Sequence, residues 1–126
     1  MKISVDRLKS RRACEDQVRL FRKLFGDGEV KVTLDACRQA VKAGLNVGWA
    51  AYVLLGEDAR AFYNRQMPVS FEAYTKDIAL ARQTYDAAGG EAAAIARQTY
   101  DKATVAARDA HDEAVAKAFF KASKLV

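Results

Sequence analysis

The chain predicts an all-α protein, an N-terminal bundle of three or four short helices followed by a long Ala/Tyr-rich helical hairpin. Three observations carry this. Alanine is abundant while proline occurs once in 126 residues, a composition that favours helix. Apolar residues recur at helical spacing through most of the chain. The motif ARQTYD occurs twice, at Ala81–Asp86 and Ala96–Asp101. The chain is long enough for one domain with a real core and too short for two full ones.

The first helix is expected to start between Ser4 and Ser10 and to run to Phe25. Cys14, Val18, Phe21 and Phe25 form its apolar stripe, and Gly26 in GDG ends it. Glu29–Val32 alternates, but a lone strand has no partner in a helical chain, so it reads as a hydrophobic linker. Thr33 caps the second helix, with Leu34, Cys37, Ala40 and Val41 inward, and Gly44 stops it. Asn46 caps the third, Val47–Leu55, which is apolar almost all round and must therefore be enclosed. Val32–Leu55 is thus the stretch around which the other elements are expected to pack. Glu57 and Asp58 open a fourth helix, which should end at Met67 because the residue before Pro68 avoids helix. The expected division is therefore residues 1–67 and 68–126, packed as one unit.

Ser70 is placed to cap the next helix. Tyr74, Ile78, Ala81 and Tyr85 make an apolar seam that Ile95, Thr99 and Ala106 continue. The two ARQTYD copies lie 15 residues apart, close to four helical turns. Gly89–Gly90 between them is either a hairpin turn or a weak point in one long helix. Two adjacent glycines cost roughly 2 kcal/mol against alanine, and the repeat lies symmetrically about them, which favours Phe71–Ala88 folding against Glu91–Ser123. Phe119, Phe120 and Leu125 are expected to dock on the body.

Charge is unevenly distributed. Residues 1–25 carry eight Lys or Arg against three acids, the whole of the net +5, while the rest of the chain is balanced. This is a basic face on a neutral protein. Arg12–Asp16 and Glu15–Arg19 are i,i+4 pairs, which leaves Arg11, Arg22 and Lys23 as the freest cations. Arg11, Arg12, Arg19, Arg22 and Lys23 are the candidate partner-binding residues.

No catalytic arrangement is expected. His111 is the single histidine and reads as a solvated surface residue, with Asp112 and Glu113 on an exposed face; a metal site needs more ligands. No cofactor is implied, GDG and GG lack the Lys-Ser/Thr of a phosphate loop, and Cys14 and Cys37 read as small reduced core residues. Val32–Leu55 has the outline of a helix-turn-helix, yet VGWAAYVLL carries no base-reading side chain. Nucleic acid would meet the basic first helix through phosphates, weakly and with little sequence preference. No apolar run approaches the ~18–20 residues of a membrane span, and the N-terminus lacks a signal-peptide core, so a cytoplasmic protein is expected.

The arrangement AC–DQV–LFRKLFG, then VT, then AGLNVGWAAYVLL, followed by the Tyr- and Ala-rich repeat, resembles small uncharacterised proteins of bacteriophages and prophages. It covers residues 8–65, the tail matching only in style. The resemblance implies a phage-derived protein acting in the cytoplasm of a bacterial host. Many such proteins, anti-CRISPR proteins included, occupy a host protein's surface, and this sequence has no signature of one anti-CRISPR type. The expected function is non-enzymatic binding, and inhibition, of a bacterial host protein or nucleoprotein complex. The alternatives are a nucleic-acid-binding module and a structural homo-oligomer, a homodimer through the repeat helices.

Overall fold

The computed structural model describes residues 1–125 and has the element order β1 (Lys2–Ile3), α1 (Val5–Ser10), α2 (Glu15–Phe25), β2 (Val30–Lys31), α3 (Leu34–Ala43), α4 (Val47–Leu54), α5 (Glu57–Ala87) and α6 (Ala93–Ser123), with a 3-10 turn at Gly90–Ala92. It is all-α apart from the two-residue strands. A bundle of α1–α4 sits at one end of a long α5–α6 hairpin.

Side-chain caps set several boundaries. Ser4, Thr33 and Asn46 each accept a hydrogen bond from the backbone N–H three residues on, at 3.1, 3.1 and 2.9 Å. These are three donors that a helix start leaves unpaired. Gly44 adopts φ 93° with Leu45 N–H donating to the Ala40 carbonyl, a Schellman ending for α3.

The expected first helix is two. Arg12 has φ 61°, the only positive φ at a non-glycine residue among those described. Arg12 N–H donates to the Lys9 carbonyl and Ala13 N–H to the Leu8 carbonyl, both at 3.0 Å. This is the same Schellman closure, built on arginine. The chain then turns and restarts at Glu15. Two apolar groups reward the turn: Val5 and Leu8 of α1 and Val18 and Phe21 of α2 are all buried in one core.

The expected linker is a strand after all. Ile3 pairs with Val30 and Lys2 with Lys31, antiparallel, and Val32 N–H donates to the Met1 carbonyl. The partner missing from the sequence reading was the N-terminus itself, brought back by burial of Ile3 and Val32.

Pro68 does not divide the chain. α5 runs for 31 residues straight through it, so the expected boundary at Met67 falls inside a helix and Ser70 caps nothing. Tyr63 lies edge-on to Phe119 at 6.5 Å, beside Ala59 and Ala116, at 1% and 0% exposure. Small residues there let the backbones of α5 and α6 approach closely, and that packing holds the helix through its defect.

Gly89–Gly90 is the turn of a hairpin. Gly90 takes φ 60° and α6 returns along α5. Tyr85 of the first ARQTYD copy meets Tyr100 of the second, ring centroids 5.5 Å apart. The repeat therefore closes within one chain. Of the expected seam, Tyr74, Ile78 and Ala81 are half-buried, whereas Ile95 and Ala106 are exposed and lie off it. Phe119 docks in the core and Phe120 is half-buried, while Leu125 remains exposed. In α4, Val47, Ala51 and Leu54 are buried but Tyr52 is 65% exposed, so this helix keeps one open side. Arg60 sits 4.6 Å over the Tyr52 ring there.

Candidate interaction site

The basic residues do not form one helical face. The Schellman turn places Arg11 and Arg12 at an outside corner, whereas Arg19, Arg22 and Lys23 lie on α2 beyond it. α2 is 11 residues long, about 16 Å at 1.5 Å per residue. The five cations therefore make a ridge from the corner to the far end of α2.

All five are exposed, but they are not equally available. Arg22 was expected to be among the freest; its Nε instead donates to Asp27 of the GDG turn. Arg19 pairs loosely with Asp16 at 3.6 Å, an exposed pair worth at most about 1 kcal/mol. The expected Arg12–Asp16 pair is absent because Arg12 stands outside α2. Among the described residues, no carboxylate lies within ion-pair distance of Arg11, Arg12 or Lys23. Exposed Lys9 sits one turn before the corner and extends the charge. Arg7 does not: its guanidinium donates to the carbonyls of Lys2 and Leu54 and ties α1 to the bundle.

Two residues assigned to solvent have structural partners. His111 is half-buried, its Nδ1 2.7 Å from Ser70 Oγ, with its ring 5.5 Å from Tyr74. Glu113 takes a bidentate contact from Arg38 of α3, the shortest at 2.6 Å. The Arg38 hydrogen bonds hold the Glu113 carboxyl below its ordinary pKa, with Lys117 at 3.7 Å adding to the effect. The helical periodicity of α6 could not show either contact, because each partner lies on another helix: Ser70 is 41 residues away and Arg38 is 75.

The cysteines are unlike each other. Cys37 is buried and Cys14 is the exposed N-cap of α2, so only one of the two expected core positions is in the core. Burial pushes the Cys37 thiol up to about 11. A chromogenic disulfide reagent should therefore titrate one thiol per folded chain and the second only on unfolding. Because the folded pKa lies above the unfolded 9.0, this contribution is intact below pH 9 and is lost as pH rises through 11. Linkage at 1.36 kcal/mol per unit makes that on the order of 2–3 kcal/mol. Burial raises the Tyr63 phenol as well, so the slope to read is the difference between the native chain and Cys37→Ala. Equal slopes would remove Cys37 as the cause.

An apolar cavity of about 90 Å³ lies between the strands, α2, α3 and α4, walled by Leu8, Phe21, Cys37, Trp49 and Phe119 among others. It is well under the ~300–1,000 Å³ of small-molecule sites. Among the described residues no group of three His, Cys, Asp or Glu is arranged to hold a metal ion. No helix among them is long and apolar enough to cross a membrane.

Fold and site together define a class: an all-α protein with a basic ridge on a short-helix bundle and a long, charge-balanced hairpin. Comparison with protein-family models, with curated proteins and with solved structures returns no match.

Proposed function

We propose that the protein is a non-enzymatic, phage-derived binding protein of the bacterial cytoplasm. It sets its basic corner against an acidic surface of a host protein or nucleoprotein complex and inhibits it; an anti-CRISPR-type inhibitor is one instance. The observation that supports this most is Arg12. A left-handed backbone costs a non-glycine residue about 1 kcal/mol or more, and glycine would close the same turn without that cost. Arginine at the position presents a charge at an outside corner, beside Arg11 and Lys9. Unpaired cations of this kind steer encounter and set specificity.

Arg12→Gly separates a binding role from a structural one. The variant should be more stable by about 1 kcal/mol and should lose part of its partner capture in affinity purification from the host bacterium. Reversing Arg11, Arg12 and Lys23 to Glu should abolish capture with the helical circular dichroism unchanged. Full capture by the triple variant would overturn the assignment. Nucleic-acid binding is the second reading, resting on the same cations. It predicts retardation of random duplex DNA at ~50 mM salt with a steep loss as salt rises, and no retardation would eliminate it.

A further inference from the structure

The apolar cavity of about 90 Å³ in the bundle is not sealed. Phe25, Leu45 and Trp49 of its wall are only half-buried, and Lys31 of the wall is exposed. It therefore reaches the surface, between α2 on one side and α3 with α4 on the other. Protein interiors are packed to crystal density, and a void of this size is costly to leave. Yet four alanines, Ala13, Ala36, Ala40 and Ala50, line it where a longer apolar side chain would close it.

Size restricts what could enter. A dry cavity of about 150 Å³ admits a whole benzene molecule, so about 90 Å³ suits one aliphatic side chain and not a metabolite. Charge restricts it further. Asp16, Glu29 and Asp35 each adjoin a wall residue in the chain. All three already face a cation: Arg19 at 3.6 Å, Lys2 at 3.9 Å and Arg38 at 3.2 Å. The cations are not all matched in this way. Lys31 belongs to the wall, Lys9 follows Leu8 of the wall, and Arg12 precedes Ala13 of the wall. Each is exposed, and among the described residues none has a carboxylate within ion-pair distance. The charge left over around the cavity is positive.

We infer that the cavity receives one leucine or isoleucine side chain from an acidic segment of the partner protein, whose carboxylates meet Lys9, Arg12 and Lys31. This rests on the basic corner being the binding surface, and it adds the apolar anchor that charge alone lacks. Exposed cations steer the encounter and set specificity. Burial of an aliphatic side chain supplies affinity in proportion to the surface removed from water.

Trp49 is the single tryptophan of the chain and lines the cavity, so its emission reports occupancy. Three capped pentapeptides serve as probes: leucine between pairs of glutamates, alanine in the same frame, and leucine between pairs of lysines. The glutamate–leucine peptide should shift Trp49 emission saturably. The alanine peptide should bind about thirtyfold more weakly, and the lysine-flanked peptide about tenfold more weakly or worse at low salt. Ala36→Leu and Ala40→Leu fill the space; whichever keeps the helical spectrum should lose the emission response. No response to the glutamate–leucine peptide at millimolar concentration overturns the inference. So does an equal response to the alanine peptide, or to the lysine-flanked one, which would make the cavity a site for apolar groups regardless of charge. Emission that changes with the concentration of the protein alone would make the occupant a second copy, and overturns it too. The corner itself is judged separately: host capture that survives reversal of Arg11, Arg12 and Lys23 overturns that reading whatever the peptides do.

Discussion

Phe119→Ala should destabilise the fold by about 3–5 kcal/mol, toward the upper end of the range for a buried phenylalanine. Phe119 is 5% exposed, lies edge-on to Tyr63 of α5, and forms part of the wall of the bundle's 90 Å³ cavity. It is therefore one of the side chains through which α6 joins both the hairpin and the short helices. The cost of such a truncation depends on how far neighbours relax into the space left. Here a small apolar pocket already adjoins the ring, so the space left by truncation opens onto it instead of being closed in by packed neighbours. The new space adds to the old one. Chemical denaturation of the native chain and the variant measures the difference; a loss under about 1 kcal/mol would mean that Phe119 does not hold the two parts together.

Pro68→Ala should act in the opposite direction. Proline inside a helix leaves the carbonyl four residues earlier, here that of Asn64, without its donor, and costs about 3 kcal/mol against alanine. Proline also restricts the unfolded chain, worth up to about 1 kcal/mol in its favour. The balance predicts a gain of roughly 2 kcal/mol on replacement. Pro68 is exposed, so no packing is removed with it. The midpoint of thermal or urea unfolding reads the change. Equal or lower stability in the alanine variant would show that α5 accommodates the ring without strain.

The proline also shows where sequence reading loses its hold. The restriction that proline places on Met67 is a local preference of a few kcal/mol, and it predicts a helix end correctly in an isolated segment. In the folded chain, Ala59 and Tyr63 before it and Tyr74 and Ile78 after it pack on the same helix α6. Those contacts outweigh the local cost. Arg12 is the converse case. Nothing in SRRAC signals a left-handed residue, because glycine, the usual marker, is missing. The turn forms because α1 and α2 must both face one core.

What the sequence determines by itself is what short-range physics controls. Caps at Thr33 and Asn46, the glycine ending at Gly44 and the hairpin turn at Gly89–Gly90 depend on residues within a few positions, and each stands where local chemistry predicts. The confinement of excess charge to residues 1–25 is equally a property of the sequence. Tertiary structure decided the rest: the pairing of Lys2–Ile3 with Val30–Lys31, the partners of His111 and Glu113, the split between Cys14 and Cys37, and which cations stay unpaired. The strand pairing and the partners of His111 and Glu113 join groups tens of residues apart. Their meeting is set by burial of apolar surface that has no direction along the chain, so local periodicity carries no record of it.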